Sequence, residues 1–247
     1  MTFVGIESAA GSARLTLRGD QLSPRVLGTG PARARIAFVA TTALLLAGDR
    51  VDIEVVVGPG CRLDLVDTAG TVAYDASRRR PDERRSEWIV RIRVAAGGVL
   101  TWHGEPFVVA DGSRPHRRTT VELAAGAVAC LRETLILGRT GEHGGELTSS
   151  TSVTLGGRPL LAEDLDLRRE PRSLPGIVTS KVIDSVLLLG RRPHGTHPVG
   201  LRRYELAGCG AVARHLGDEL HRSGGENCFA TWRDGPDPAG SVPIRPH

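Results

Sequence analysis

The sequence feature that most constrains the fold is a strand–turn–strand unit that occurs four times, each time with glycine in the turn. In each unit a run rich in β-branched residues leads into the glycine turn, and a second apolar run follows. The four units are residues 51–68, 89–106, 118–134 and 151–164. β-branched residues favour strands and glycine favours tight turns, so each unit has the pattern of a β-hairpin.

An acidic residue occupies the same place in all four units when they are aligned on the last glycine of the turn. The glycines are Gly60, Gly98, Gly126 and Gly157, and the acids seven residues later are Asp67, Glu105, Glu133 and Asp164. An imperfect repeat of this length indicates stacked β units that share one core. We therefore predict a mainly β fold of stacked sheets in a β-helix-like arrangement.

The repeated acids have two possible environments. Side chains alternate between the two faces of a strand, so each acid shares a face with the residues two and four positions before it, and none of these is an acid, lysine or arginine; one is His103. Either the acid ends its strand and caps a loop, or a row of half-buried carboxylates lines an interior or an interface. Buried acids need partners, and the candidates are Arg118, Arg132 and Arg139.

Helical patterns are confined to the C-terminal part of the chain. Residues 174–190 fit a short helix or another strand, and residues 208–223 have apolar residues at helical spacing. We predict one or two helices toward the C-terminus. The chain length fits a single β-rich domain over residues 1–233. Residues 234–247 are rich in Pro, Gly and Asp and are predicted to form a disordered tail.

Composition argues against several classes of protein. The net charge is +4, aromatic residues make up 4%, and the one dense basic run, residues 77–85, also contains acids and is interpreted as a solvated loop. Nucleic-acid binding is therefore not expected. The chain has no apolar run long enough to span a membrane and its N-terminal segment has no apolar signal region, so we expect a cytoplasmic protein. The four separated cysteines are interpreted as packed thiols.

Motifs for chemistry are weak. No P-loop or dinucleotide-binding fingerprint is found. His194 and His197 are three residues apart and are weak candidates for metal ligands, but their loop does not fix a geometry, which favours a solvated pair. Paired carboxylates on a repeating β scaffold also suggest a carbohydrate-active β-helix enzyme. The low aromatic content makes that enzyme the less favoured interpretation.

Several segments resemble the urease accessory protein family known as UreD or UreH. They are "GDRVDIEVVVGPGCRLDLVDTAGTVAY", "LTWHGEPF" and "RRTTVELAAGAVACLRETLILGRTGE", and the later "LGGRPLLAEDLDL" and "LAGCGAVARHLGDEL" are similar too. The most specific part is an E-x-L-x-x-G-R unit formed by Glu133, Leu135, Gly138 and Arg139. The resemblance covers about two-thirds of the chain.

The resemblance implies a cytosolic nickel-insertion chaperone, not an enzyme. Members of the family bind apo-urease together with a UreF-type accessory protein, and that pair recruits a UreG-type GTPase. The resemblance also implies that nickel passes in transit through internal tunnels toward the urease active site, with no tightly bound cofactor. Oxygen ligands in such a tunnel bind a divalent ion with moderate affinity.

Residue by residue, the resemblance assigns a nickel passage to Asp49, Thr71, Glu105, Glu133 and Arg139. Two departures from the family pattern are Ala47 in place of a glycine and Val72 where a lysine is common. We expect Glu133 to face an interior polar passage, held by Arg118 or Arg139, with Asp49 serving the same passage.

Overall fold

Two β-sheets packed face to face form the body of the molecule. A computed structural model describes residues 1–9, 12–168, 180–194 and 199–234 and the backbone of residues 245–246. One α-helix near the C-terminus covers part of one sheet. The mainly β fold with stacked sheets that the repeat predicts is confirmed.

The regular elements of the described residues follow in chain order. The strands are β1 (Thr2–Ala9), β2 (Ser12–Arg18), β3 (Leu22–Gly30), β4 (Arg33–Ala40), β5 (Arg50–Val57), β6 (Arg62–Asp67), β7 (Thr71–Ala73), β8 (Arg85–Val94), β9 (Val99–His103), β10 (Phe107–Val109), β11 (Arg114–Leu123), β12 (Val128–Leu137), β13 (Leu147–Leu155), β14 (Arg158–Leu167), β15 (Val182–Leu189), β16 (Arg202–Glu205), β17 (Gly210–Gly217) and β18 (Arg245–Pro246). The α-helix is α1 (Gly225–Arg233), and two 3-10 helices span Pro81–Glu83 and Leu220–Arg222.

The chain coils between the two sheets. The first sheet has the order β14-β13-β11-β8-β5-β1-β2, and the second has the order β16-β17-β15-β12-β9-β6-β4-β3-β18, with β10 joining β12 to β7. In the first sheet β5, β8, β11 and β13 are parallel, and in the second β4, β6, β9 and β12 are parallel. Each coil therefore contributes one strand to each sheet, as in a β-helix.

The glycine turns of the first three units are corners of this coil. The sequence pattern was that of hairpins, but each turn joins a strand of the first sheet to a strand of the second. Gly60, Gly97 and Gly126 have positive φ values of 63°, 69° and 77°. The three glycines stack on one another. A Cβ built on Gly97 would lie 3.7 Å from the Cα of Gly60, and a Cβ built on Gly126 would lie 4.0 Å from the backbone nitrogen of Gly97.

The stacked corners change the alignment of the second unit by one residue. Arg62 pairs with Val99, and Val99 pairs with Val128, so the corner glycine of the second unit is Gly97 and not Gly98. Counting seven residues from the corner gives Gly104 and not Glu105. The sequence alignment was wrong here because the turn contains two adjacent glycines, and only strand pairing identifies which one forms the corner.

The fourth unit is a true hairpin. β13 and β14 are antiparallel neighbours in the first sheet, joined by Gly156 and Gly157 with positive φ values of 57° and 75°. Two central residues of positive φ are typical of the tightest hairpin turns. Asp164 is exposed on β14 and does not share the environment of the other acids.

The core lies between the sheets. Alternate residues of the parallel strands face it, as in β5, where Ile53, Val55 and Val57 are almost completely buried. β15 is buried along its whole length, because its second face lies under α1. Phe229 and Trp232 of α1 supply the covering side chains.

The predicted helix over residues 208–223 is wrong. Half of that segment is β17, which pairs with β15 on one side and β16 on the other. Val212 faces the main core, whereas Ala211 and Ala213 face α1, so the apolar run serves two faces of a strand. Among the described residues, the one α-helix confirms the prediction of one or two helices toward the C-terminus, but it begins only at Gly225.

Other parts of the C-terminal prediction lie largely outside the described residues. The segment 174–190 is described from residue 180, where it forms β15. Of the predicted tail 234–247, the structure describes Asp234 and β18, whose backbone pairs with β3. The single domain over residues 1–233 stays a prediction.

Replacing a corner glycine tests the coil geometry. We expect Gly60→Ala to lower the free energy of unfolding by about 1–2 kcal/mol, because the left-handed conformation strains an alanine backbone. The Cβ itself would contact nothing within 4 Å. Gly60→Asn is the matched control, since asparagine adopts this conformation more readily. Urea unfolding measures both variants, and equal losses for the two would contradict the strain explanation.

Candidate functional site: a polar cleft between the sheets

Two adjacent charged residues of β12, Arg132 and Glu133, point to opposite faces of the second sheet. Leu131 and Leu135 belong to the main core between the sheets, and Glu133 is in the same alternating series. Cys130 packs instead in the cluster beneath α1, and Arg132 shares that face. A strand buried on both faces therefore carries one charge toward each, and each charge has its own partner.

Glu133 faces the space between the sheets and pairs with Arg117 of β11. Arg117 Nη2 donates to Glu133 Oε1 at 3.2 Å, and the two side chains are 8% and 25% exposed. The Arg117 guanidinium also lies 4.8 Å from the centre of the Phe107 ring. The partner is therefore Arg117 and neither of the predicted residues, because Arg118 lies on the outer, exposed face of the same strand.

Asp67 is a second inward carboxylate. Trp102 Nε1 donates to Asp67 Oδ1 at 3.0 Å, and the backbone N–H of Glu105 donates to Asp67 Oδ2 at 3.2 Å. Burial raises the pKa of Asp67 to about 6, although these two donors oppose the rise. The side chain thus titrates close to neutral pH, which is typical of carboxylates at functional sites.

Asp67 and Glu133 line the same cleft. The cleft has a volume of about 50 Å³ and is partly open to solvent, and its polar lining includes Asp67, Thr71, Glu105, Arg117 and Glu133. Trp88, Trp102 and Phe107 supply much of its apolar wall. A second cavity toward Leu44 and Tyr74 shares Asp67, Thr71 and Trp88 with it. Asp67 therefore stands where the two spaces meet.

Polar side chains continue beyond Glu133 toward the far end of the sandwich. Ser185 pairs with Glu133 across β12 and β15, and Arg214 pairs with Ser185 across β15 and β17. Arg214 Nε donates to Ser185 Oγ at 2.9 Å, and its Nη1 and Nη2 donate to the two carboxylate oxygens of Glu163 on β14 at 2.6 and 2.8 Å. A row of charged and hydroxyl groups thus links the two sheets at this end.

The predicted passage residues divide into two groups. Thr71, Glu105 and Glu133 line the cleft. Asp49 lies in the turn before β5, where its Oδ2 accepts the backbone N–H of Leu46 at 2.9 Å. Arg139 is exposed and donates to Glu142 at 2.8 Å. Arg139 therefore pairs with Glu142 and does not hold Glu133. Asp49 does not line this cleft, and its part in a nickel passage stays a prediction.

Glu142 explains why Arg139 is unavailable to Glu133. Its carboxylate accepts hydrogen bonds from the Arg139 side chain and from the backbone N–H groups of Arg139 and Asp111. The bond from the Arg139 side chain is the largest of the effects that lower the pKa of Glu142 to about 2. The E-x-L-x-x-G-R segment therefore closes its own turn after β12.

The weak metal candidates do not form a centre. His194 is exposed, and His197 lies outside the described residues. Among the described residues, no group of three or more His, Cys, Asp or Glu side chains is arranged to hold a metal ion. In the same part of the chain, no helix is long and apolar enough to cross a membrane.

On the outer face, Arg132 joins the second sheet to α1. Its guanidinium donates to Asp184 of β15, with Nε 3.2 Å from Oδ1 and Nη2 3.3 Å from Oδ2. Asp184 is completely buried and also accepts from Thr134 Oγ1 at 2.9 Å and Ser223 Oγ at 2.5 Å. Four donor groups therefore satisfy this carboxylate beneath the helix.

Glu226 of α1 completes the outer network. It accepts a hydrogen bond from Arg132, and its Oε2 lies 2.8 Å from Nε2 of His103. The His103 ring also packs edge-on against Phe229, with 5.2 Å between ring centres. His103, two residues before Glu105, therefore lies on the outer face beside Arg132, its pairing partner across β9 and β12.

Sequence reasoning missed Arg117 and did not assign Asp67 to the passage. The sequence did indicate Asp67, because it is the acid of the first repeat unit. The strand register confirms that Asp67 on β6 and Glu133 on β12 lie at the same height in the sheet. Arg117 carried none, since it is one of two adjacent arginines on β11 and only the pairing of the two sheets shows which of them faces inward.

Comparisons with known proteins agree on one family. The family model described as UreD urease accessory protein matches residues 4–222. Urease accessory protein UreD 1 of Streptomyces griseus subsp. griseus is 46% identical over 88% of this chain and 85% of its own length. The UreD proteins of Frankia casuarinae and Streptomyces avermitilis are each 34% identical, over 78% and 67% of this chain and 70% and 68% of their own lengths.

Removing the buried carboxylate of Asp184 tests the outer network. We expect Asp184→Asn to lower the free energy of unfolding by about 3–5 kcal/mol, because it leaves Arg132 beneath the helix without its main counter-charge. Glu226→Gln is the matched control for the same arginine. Glu226 is 64% exposed, so its loss should lower stability by less than about 1 kcal/mol. Equal effects in urea unfolding would contradict this assignment.

The raised pKa of Asp67 predicts a pH-dependent stability. The folded state binds its proton up to about pH 6, against 3.8 for an unperturbed group, so this carboxyl lowers stability as the pH rises through that interval. Asp67→Asn cannot ionise. We measure the melting temperature of the variant minus that of the unaltered protein. This difference should be a few degrees higher at pH 7.5 than at pH 4.5.

The exposed acid of the fourth unit is the control for this measurement. Asp164→Asn changes the same functional group on the outside of β14, so its effect should be nearly the same at both pH values. A pH-independent effect of Asp67→Asn in thermal unfolding would show that Asp67 is not responsible.

Proposed function

Because this chain belongs to the UreD family of urease accessory proteins, we propose that it conducts nickel toward the urease active site through the cleft between its two sheets. Its role in urease maturation is that of an accessory protein and not of an enzyme. Nickel is the cargo in transit, and no resident cofactor is required.

The pair of inward carboxylates carries this proposal. Asp67 and Glu133 lie at the same level of two stacked strands and face one cleft, with Gly104 between them in the register. The close approach of the strands requires glycine there, since a Cβ at this position would clash with the backbone oxygen of Arg132 at 2.5 Å and would lie 3.7 Å from Asp67 Oδ2. Oxygen ligands on separate strands suit an ion that must bind and then leave.

The protonation of Asp67 supports transfer in preference to storage. With a pKa of about 6, its carboxyl exchanges protons near neutral pH. A divalent ion competes with that proton, because a metal ligand must be deprotonated. Binding is therefore moderate and depends on pH, which suits a passage better than a closed site.

The proposed partners are apo-urease, a UreF-type accessory protein and, through that complex, a UreG-type GTPase, all acting in the cytoplasm. A surface that holds such a complex should bury more than about 1,000 Å². The carbohydrate-active enzyme is no longer a competing interpretation, because the family is one of accessory proteins.

Charge-neutral variants in the cleft test nickel conduction. We expect Glu133→Gln and Asp67→Asn to reduce nickel loading and activation of urease several-fold, because each removes a charged oxygen ligand while keeping the side-chain shape. Nickel content, urease activity and complex formation should be measured together after co-expression with urease and the other accessory proteins. Complex formation should be unchanged.

Asp164→Asn is the matched control, because it removes a carboxylate of the same sequence repeat that lies outside the cleft. It should load nickel normally. Full loading by both cleft variants would refute the passage. Loss of the complex by Glu133→Gln would instead assign Glu133 a structural role with Arg117.

A further inference from the structure

The basic run that precedes β8 forms an ordered loop, which we name the arginine loop (residues 77–85). Asp75 Oδ1 accepts the backbone N–H of Ser77 at 2.7 Å. Arg84 then donates twice to the loop backbone, from Nε to Arg79 O and from Nη2 to Ser77 O, both at 2.9 Å. One arginine of the run is thus used to hold the backbone of the others.

Further contacts attach the arginine loop to the body of the protein. The backbone N–H of Ala76, just before the loop, donates to Gly112 O at 3.1 Å. Within the loop, the N–H of Glu83 donates to Arg80 O at 3.0 Å and closes the 3-10 helix Pro81–Glu83. The backbone is therefore arranged in advance of any contact with a partner.

Three consecutive arginines project from this ordered backbone. Arg78, Arg79 and Arg80 are exposed, and in the part of the chain that the structure describes no ion pair involves them. Arginines on the outer face of the neighbouring strands β5 and β8 do have acidic partners. Examples are Arg50, Arg91 and Arg93. The arginine loop therefore presents a dense group of exposed positive charges, with Asp75, Asp82 and Glu83 as the nearby acids.

Apolar side chains lie beside the arginine loop. Leu46 is 46% and Tyr74 is 38% exposed. Two backbone hydrogen bonds connect the segment around Leu46 to the ends of the arginine loop. The N–H of Tyr74 donates to Leu45 O at 3.2 Å, and the N–H of Gly48 donates to Arg85 O at 3.1 Å. Arginine and tyrosine are enriched at protein interfaces.

We propose that the arginine loop, with Leu46 and Tyr74 beside it, docks an acidic segment of a partner protein. Guanidinium groups bind carboxylates through two parallel hydrogen bonds, and a held backbone reduces the entropy lost on binding. A nucleic acid fits less well, because Asp82 and Glu83 lie in the same loop and repel a continuous phosphate backbone. The proposal does not depend on passage of metal through the cleft.

Binding of a fluorescent octaglutamate peptide tests the proposal by anisotropy at low salt. We expect the triple variant Arg78→Gln/Arg79→Gln/Arg80→Gln to bind roughly tenfold more weakly than the unaltered protein, as three exposed ion pairs are lost. The matched control is Arg14→Gln/Arg18→Gln/Arg25→Gln, which removes three exposed arginines of β2 and β3 and leaves the same net charge. The control should bind within about twofold of the unaltered protein.

Arg84→Lys separates charge from loop order. It keeps the net charge of the loop but lacks the guanidinium group that bonds both backbone oxygens, so we expect several-fold weaker binding. Thermal unfolding of each variant confirms that the fold is retained.

Four outcomes would overturn the proposal: no binding by the unaltered protein, equal loss in both triple variants, undiminished binding by Arg84→Lys, or tighter binding of a labelled DNA oligonucleotide than of the peptide.

Discussion

The arrangement of this protein depends on β12, a strand that is buried on both faces and yet carries two adjacent charges. Because successive side chains point to opposite faces, Arg132 and Glu133 cannot satisfy each other and need partners from different layers. Asp184 lies on one side beneath α1, and Arg117 lies on the other side in the first sheet. Both neighbouring layers are thereby held to the same central strand.

The two faces of β12 differ in how completely their charges are neutralised. Asp184 is fully buried and has four donor groups, which makes the outer network a structural connection between the sheet and α1. On the inner face the carboxylates are less well satisfied, and burial raises the pKa of Asp67 to about 6. Keeping the buried Asp67 carboxyl ionised lowers the stability of the fold. Buried carboxyls of this kind are typical of functional sites.

The architecture and the family were accessible from the sequence. Alternating apolar residues predicted strands, recurring glycines predicted their stacking, and the acids of the first and third units correctly shared a face with core leucines. The C-terminal part was less accessible, because the apolar run of β17 serves two layers and so loses the period-two signal. Pairing with β15 and β16 decided its conformation.

By itself, the sequence determined that stacked strands place a carboxylate at a recurring position after a glycine corner. The tertiary structure alone decided which of those carboxylates meet. The pairing register moved Glu105 one residue out of line, the hairpin at Gly157 turned Asp164 to the outside, and the approach of the first sheet selected Arg117 over Arg118. The physical reason is the two-residue period of a strand, since a shift of one residue exchanges the buried and exposed faces and only long-range pairing sets that shift.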